Sequence, residues 1–123
     1  LQPASVPYQD AVFNLSRSAL LVAALVQSPE LLFEATEDRL HQDYRAEAMP
    51  ETYELVQRLR AAGHAAVVSG AGPSILVLAS DPAARADAAG IVERSARSRW
   101  DSRMLAVDVR GATVVSLPMG AAD

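Results

Sequence analysis

The sequence contains no lysine and no cysteine among its 123 residues. Without lysine, the chain cannot form a Schiff base or supply the lysine of a Walker-type phosphate loop. Without cysteine, it has no disulfide, no thiol nucleophile and no cysteine-ligated zinc site. The two histidines, His41 and His64, lie too far apart in the sequence to form a metal-binding pair by spacing alone. We therefore expect no metal ion held by this chain alone.

Positive charge is also scarce. The 11 basic residues, all of them arginine, are outnumbered by 15 acidic residues, and the formal net charge is −4. Nucleic acids and anionic membrane surfaces attract clustered positive charge, so we expect neither as a partner. The longest apolar run, residues 19–26, is much shorter than the roughly 20 residues of a membrane-spanning helix. With no visible signal peptide, the expected location is cytoplasmic.

The length and composition favour one compact domain. Half of the residues are hydrophobic, which is enough for a single core in a chain of this size. We therefore predict one domain over residues 1–123. The sequence begins with Leu1 rather than methionine, and we expect it to be a fragment of a longer protein.

Helical patterns dominate the first half of the chain. Apolar spacing and cap residues predict three helices, at residues 10–27 with Asp10 as N-cap, at residues 29–36 and at residues 50–62. Gly63 should end the third of these in a left-handed cap. Between the second and third helices, residues 37–45 are polar and break the apolar pattern. This stretch is the expected exposed functional segment of the first half.

The second half alternates strand patterns with one helix. The predicted elements are a strand at 65–68, a turn at 69–74, a strand at 75–79, a helix at 83–99 capped by Asp81, and a hairpin of two β-branched runs at 105–109 and 113–117. This order predicts an α+β fold, with helices packed on one face of a short, mostly antiparallel sheet in a ferredoxin-like arrangement.

The sharpest local motif is the glycine-rich turn Ser69-Gly70-Ala71-Gly72-Pro73-Ser74. Glycine permits positive φ angles and close backbone approach, so such a turn can present consecutive N–H groups to an anion. By itself, a Gly-x-Gly turn is more often an ordinary connection between strands. Its interpretation therefore depends on the rest of the chain.

Three segments together resemble the GHMP kinases, named for galactokinase, homoserine kinase, mevalonate kinase and phosphomevalonate kinase. The glycine-rich turn at 69–74, after Gly63 and a short strand, resembles their third conserved motif. The run Val6-Pro7-Tyr8-Gln9-Asp10-Ala11, leading to Asn14 and Arg17, resembles the helix opening of homoserine kinases. His41-Gln42-Asp43-Tyr44-Arg45 resembles their segment ending in Tyr-Arg, and Pro50 also fits. The similarity extends from about residue 6 to residue 117.

The resemblance implies a GHMP kinase C-terminal domain on the substrate side of a homoserine kinase. Such an enzyme transfers the ATP γ-phosphate to the hydroxyl of L-homoserine and gives O-phospho-L-homoserine for threonine biosynthesis. ATP and Mg²⁺ are then bound mainly by an N-terminal half, which carries the phosphate loop and the magnesium ligand and is absent from this chain. The implied partners are L-homoserine, ATP, that N-terminal half and a second copy in a homodimer. The 123 residues alone are expected to be inactive.

The resemblance also assigns individual residues. Arg45 matches the arginine that grips the homoserine carboxylate, a role that suits the fork of N–H donors on a guanidinium. Arg17, Asn14 and Tyr44 join it as expected substrate-binding residues, although Arg17 could instead pair with an acidic neighbour such as Asp10 or Asp43. Residues 69–74 form the expected phosphate-side loop. No pair of carboxylates has a spacing that suggests acid–base catalysis, so we expect no catalytic residue in this chain.

Three alternatives remain open from the sequence. The first is another GHMP kinase that acts on a mevalonate-type or sugar substrate and shares the glycine-rich turn. The second is a non-enzymatic regulatory module that binds a free amino acid at a sheet edge. The third is a dimerisation domain with an apolar surface patch.

Overall fold

The computed structural model describes residues 3–115 and shows an α+β fold, as predicted. Five α-helices accompany a two-stranded sheet in this part of the chain. In order, the elements are α1 (Tyr8–Val26), a 3-10 turn (Pro29–Leu31), α2 (Leu32–Ala35), α3 (Gln42–Arg45), α4 (Pro50–Ala61), β1 (Ala65–Val68), β2 (Ile75–Leu78) and α5 (Pro82–Ser95). Among residues 3–115, none of the helices combines the length and apolar character needed to cross a bilayer.

The core lies between the sheet and the helices α4 and α5. Strands β1 and β2 are antiparallel, and Ala66 pairs with Val77. Residues directly opposite each other on paired strands point to the same face, so these two side chains lie on the same side of the sheet. Ala66 is buried with Leu59 of α4 and Ala88 of α5, and the partly buried Val77 packs against this cluster. On the opposite face, Leu76 is 47% exposed, so the helices of this cluster cover one face only.

The first helix begins earlier than the sequence predicts. The carbonyl oxygen of Pro7 accepts hydrogen bonds from the N–H groups of Asp10 and Ala11, at 3.0 and 3.2 Å. Asp10 therefore lies in the first turn of α1, and its prediction as N-cap is wrong. The predicted end of α4 is confirmed, since Gly63 follows it with a φ of +91° and donates its N–H to the carbonyl of Arg60.

Helix α5 begins at its predicted cap but ends four residues early. The Asp81 carboxylate accepts the N–H of Ala84 at 2.8 Å, as an N-cap does. At the other end, the Glu51 carboxylate of α4 accepts the N–H groups of Arg97 and Ser98, at 2.7 and 2.9 Å. It also accepts the Ser98 hydroxyl. A helix cannot continue through N–H groups that are bonded to another element, so α5 stops at Ser95.

The Glu51 contact predicts a pH-dependent stability. Hydrogen bonds from the Ser98 hydroxyl, the Ser98 N–H and the Arg97 N–H lower the pKa of Glu51 from 4.5 to about 2. A depressed pKa means that the ionised carboxylate stabilises the fold above pH 4.5 and loses this effect as the pH falls towards 2. At pH 7, the Glu51→Gln variant should therefore have its unfolding midpoint at a lower urea concentration than the wild type. The difference between the two midpoints should shrink below pH 4.5.

Glu47→Gln provides the matched control, because Glu47 is exposed and makes no hydrogen bond or ion pair within residues 3–115. Its unfolding midpoint should equal that of the wild type at both ends of the pH range. A Glu51→Gln deficit that stays constant from pH 7 to pH 2.5 would contradict the role of the Glu51 charge.

The predicted C-terminal hairpin is wrong over the residues that the structure describes. Residues 105–109 and 113–115 form no strand, and only the turn around Gly111 is present, with a φ of +70°. The β-branched side chains Val107, Val109 and Val114 are at least 91% exposed. An isolated hairpin with no surface to pack against is marginal in water, so β-propensity alone does not form one here. Residues 116 and 117 lie outside the described part.

Arg60 of α4 links the end of α2 to strand β1 through hydrogen bonds. Its guanidinium donates to the Thr36 hydroxyl at 3.0 Å, to the Ala66 carbonyl at 3.3 Å and to the Phe33 carbonyl at 2.9 Å. Burial lowers the pKa of Arg60 from its ordinary value. The end of α2 is thus held against α4 and β1, which sets where residues 37–45 begin.

Candidate functional site

A pocket of about 330 Å³ lies between α3 and the end of β1. The polar stretch predicted from the sequence, residues 37–45, provides most of its polar lining. The described residues around it are Asp38, His41, Gln42, Arg45, Val67, Val68 and Gly70. One wall is therefore polar and charged, and the other is the exit of a strand into the glycine-rich turn.

Asp38 organises the polar wall. Its carboxylate accepts the N–H groups of Leu40, His41 and Gln42, at 3.1, 2.9 and 2.6 Å. This side-chain-to-backbone bonding turns the chain into α3. The Asn14 amide of α1 donates to the same carboxylate at 2.6 Å. One carboxylate thus links α1 to the start of α3.

These hydrogen bonds also keep Asp38 ionised. Burial raises the pKa of Asp38, but the hydrogen bonds that it accepts outweigh this effect. Those from the Gln42 N–H and the Asn14 amide are the strongest. The pKa of Asp38 is therefore below its ordinary value, and the network holds a negative charge at neutral pH.

Two side chains of α3 hold the end of β1 and the glycine-rich turn that follows it. Gln42 and Arg45 are three residues apart and so lie on the same face of the helix. The Gln42 side-chain oxygen accepts the N–H of Val68 at 2.8 Å. An Arg45 Nη donates to the carbonyl oxygen of Gly70 at 2.9 Å. The structure thus brings together Arg45 and the glycine-rich turn, which the sequence analysis had singled out separately.

The glycine-rich turn closes on itself. The Ser69 N–H donates to the Ser74 carbonyl at 2.8 Å, and the Gly72 N–H donates to the Ser69 carbonyl at 3.0 Å. Gly70 and Gly72 have φ angles of +59° and +80°, which favour glycine at both positions. The backbone of the turn is therefore specified by its glycines.

Two N–H groups of this turn are available for a ligand. Those of Gly70 and Ala71 donate to no atom of residues 3–115. The buried Thr52 of α4 anchors the far side of the turn by donating its hydroxyl to the Pro73 carbonyl at 3.1 Å. A turn with two free adjacent N–H groups beside an arginine can bind an anion.

Arg17 has a structural partner that the sequence analysis did not name. Its guanidinium forms a 2.9 Å ion pair with Glu37 and lies 4.4 Å from the ring centre of Phe13. The expected pairing with an acidic residue is confirmed, but the partner is Glu37 and neither Asp10 nor Asp43. The Asp10 carboxylate instead lies 3.6 Å from the Arg39 guanidinium.

The other predicted binding residues occupy different positions relative to the pocket. Asn14 reaches the pocket only through Asp38. Tyr44 is 38% exposed and, like Arg17, is not among the described residues that line it. A direct role of these three residues in substrate binding remains a prediction.

Sequence reasoning missed Asp38 and Gln42. A signal for Asp38 was present, because an aspartate in a polar stretch between helices often accepts nearby backbone N–H groups and forms a turn. Gln42 lies within the 41–45 segment that resembles homoserine kinases, but its contact with Val68, a residue 26 positions away, could not be read from the sequence. Within residues 3–115, no three acidic or histidine side chains form a metal-binding group.

Comparison with known proteins gives consistent matches. Residues 18–98 match the family described as GHMP kinases C terminal. The chain is 66% identical to a homoserine kinase of Clavibacter michiganensis subsp. michiganensis, over 99% of this chain and 39% of the relative. It is 68% identical to a homoserine kinase of Leifsonia xyli subsp. xyli, over 93% of this chain and 35% of the relative. The chain is also 54% identical to a homoserine kinase of Streptomyces coelicolor, over 95% of this chain and 36% of the relative.

The chain thus spans between a third and two fifths of the length of these curated relatives. The family match covers well over half of the chain and includes the second half of α1, α3 and the glycine-rich turn. The family that the sequence motifs resemble is therefore confirmed, and the chain belongs to the GHMP kinases, of which it forms the C-terminal domain.

Proposed function

We propose that this domain is the substrate side of an ATP-dependent homoserine kinase, which phosphorylates the hydroxyl of L-homoserine and gives O-phospho-L-homoserine for threonine biosynthesis. The observation that carries the proposal is the position of Arg45, which lines a pocket directly beside the glycine-rich turn. The names of the relatives, which are 54–68% identical, support the same substrate.

The chemistry of the pocket fits an amino-acid acceptor. Arg45 uses one N–H on the Gly70 carbonyl, and its other donors have no acceptor among residues 3–115. A guanidinium has five N–H donors, so enough remain for two parallel bonds to a planar carboxylate. Holding the carboxylate there orients the homoserine side chain, and in phosphoryl transfer such positioning contributes much of the catalysis.

ATP and Mg²⁺ are assigned mainly to a part of the protein outside this chain. Together they supply the transferred phosphoryl group and neutralise the charge that develops on it. The described residues offer no metal-binding cluster. Their contribution is the pair of free N–H groups at Gly70 and Ala71, which suits a phosphate oxygen better than a metal ion. A reaction that consumes ATP also agrees with the expected cytoplasmic location.

The outer face of α1 supports a place within a longer protein. Tyr8, Leu15, Val22 and Val26 are spaced along one side of the helix and are between 65% and 82% exposed. Contiguous apolar surface of this kind is unusual on a monomeric domain and marks a covered interface. The remaining part of a longer kinase is the proposed cover, and homodimer formation stays a prediction.

The proposal is tested by ADP release from the full-length protein. L-homoserine should stimulate turnover, whereas mevalonate and galactose should not. The 123-residue chain alone should give no turnover with L-homoserine and ATP. Stimulation by mevalonate or galactose but not by L-homoserine would leave only the family assignment. Turnover by the 123-residue chain alone would contradict the assignment of ATP and Mg²⁺ binding to a part of the protein outside this chain.

A further inference from the structure

We propose that Gln42 binds the substrate carboxylate together with Arg45, and that its side-chain NH₂ helps to select an acceptor that carries a carboxylate. This inference rests on the proposed function. It adds to the arginine a second, uncharged donor from the same segment, residues 41–45, a donor to which the resemblance assigned no role.

The orientation of the Gln42 amide is determined by its neighbour. The Val68 backbone N–H is only a donor, so the atom that faces it at 2.8 Å must be the side-chain oxygen. A flipped amide would place two donors against each other and leave the Val68 N–H without a partner. The NH₂ group of Gln42 therefore lies on the edge of the planar amide that points away from the Val68 N–H.

The NH₂ group of Gln42 is free to bind a ligand. It donates to no atom of residues 3–115, although Gln42 lines the pocket beside Arg45. The backbone of Gln42 is held as well, because its N–H donates to the Asp38 carboxylate at 2.6 Å. A side chain restrained at both ends loses little entropy when it binds, which favours a role in recognition.

The other groups at the pocket edge favour an anion. The Asp38 carboxylate already accepts three backbone N–H groups and the Asn14 amide, so its oxygens are engaged. The Gly70 carbonyl already accepts from Arg45. What Gln42 and Arg45 still offer is donors, three residues apart on one helical face. Two donor groups side by side can engage both oxygens of a carboxylate.

The test exchanges the donor for an acceptor while preserving the structural bond. In Gln42→Glu, one carboxylate oxygen can still accept the Val68 N–H, but the other presents negative charge to the pocket. In the full-length protein, the KM for L-homoserine should rise roughly 10- to 100-fold, since a hydrogen bond to a charged group is lost and repulsion is added. The KM for ATP and the melting temperature should stay close to the wild-type values.

Two controls separate binding from structure. Gln57→Glu places the same charge on an exposed position of α4 and should leave the KM for L-homoserine unchanged. The acceptor 3-aminopropan-1-ol is homoserine without its carboxylate, so Gln42→Glu should leave its kcat/KM within a few-fold of the wild type. Should Gln42→Glu not fold, Gln42→Met, which has a similar length and no donor, is compared between the same two acceptors.

Each outcome decides one of the two proposals. Wild-type protein without homoserine-dependent turnover overturns the proposed function itself. An active wild type whose Gln42→Glu variant keeps its KM for L-homoserine within twofold overturns the inference about Gln42. Equal losses for L-homoserine and 3-aminopropan-1-ol also overturn it, because they indicate a purely structural role. A loss confined to L-homoserine supports it.

Discussion

Replacing Arg45 by alanine in the full-length protein should lower kcat/KM for L-homoserine by about a hundredfold or more. Each hydrogen bond to a charged group contributes about 1.5–3 kcal/mol, and a fork that grips a carboxylate makes two of them. The side chain also donates to the Gly70 carbonyl, so its removal loosens the glycine-rich turn beside the pocket. The loss should therefore appear mainly as a higher KM, with a smaller fall in kcat.

Two arginine-directed controls sharpen this measurement. Arg45→Lys keeps the positive charge but cannot form the planar fork, so it should recover only part of the lost kcat/KM. Arg58→Ala removes an arginine that pairs with Glu54 on the surface of α4, and it should leave both kinetic constants unchanged. Wild-type kcat/KM in Arg45→Ala would eliminate carboxylate capture at this position.

The Gly72→Ala substitution should both destabilise the domain and reduce turnover. Gly72 has a φ of +80°, and a Cβ added there would lie 2.6 Å from the Met49 sulfur and 3.2 Å from a methyl carbon of Val68. A non-glycine residue in such a conformation costs of the order of 1–3 kcal/mol. The contacts add to this cost, although the flexible end of Met49 can move. Urea unfolding and homoserine-dependent ADP release measure the two effects.

Gly70→Ala is the matched comparison, because Gly70 also has a positive φ, +59°, but an added Cβ would meet nothing within 4 Å. It should therefore show backbone strain alone, of roughly 1–2 kcal/mol, and be more stable than Gly72→Ala. Adding Met49→Ala to Gly72→Ala should recover part of the difference, since it removes the closest contact. Equal stability of the two glycine variants would contradict the importance of the Met49 contact.

These predictions share a structural basis in which one short helix controls two functional parts. The Asp38 carboxylate holds the start of α3. Helix α3 then places Gln42 against Val68 at the end of β1 and Arg45 against Gly70 of the glycine-rich turn. A change in α3 is therefore expected to alter both the proposed carboxylate-binding donors and the glycine-rich turn. Substrate binding and turn geometry should respond together to substitutions here.

Local signals in the sequence were sufficient for several elements. Pro50 and Gly63 delimit α4, and Asp81 starts α5, because caps and breakers act within one turn of the residue that carries them. The same is true of the strand at 65–68, which is a short β run between a helix-ending glycine and a polar turn. The family resemblance also rests on contiguous motifs, which need no tertiary information.

The features that prediction missed depend on contacts between residues far apart in the chain. Helix α5 ends where Glu51, 46 residues before Arg97, takes the N–H that the helix would need. The β-branched runs after residue 104 have strand propensity, but the described part of the chain offers them no partner strand or packing surface. The amide of Gln42 is oriented by Val68, 26 residues later. By itself, the sequence determined the family and the starts of α4 and α5, and it singled out Arg45 as a candidate. Only the tertiary structure decided which donors line the pocket, because hydrogen-bond partners are chosen in space.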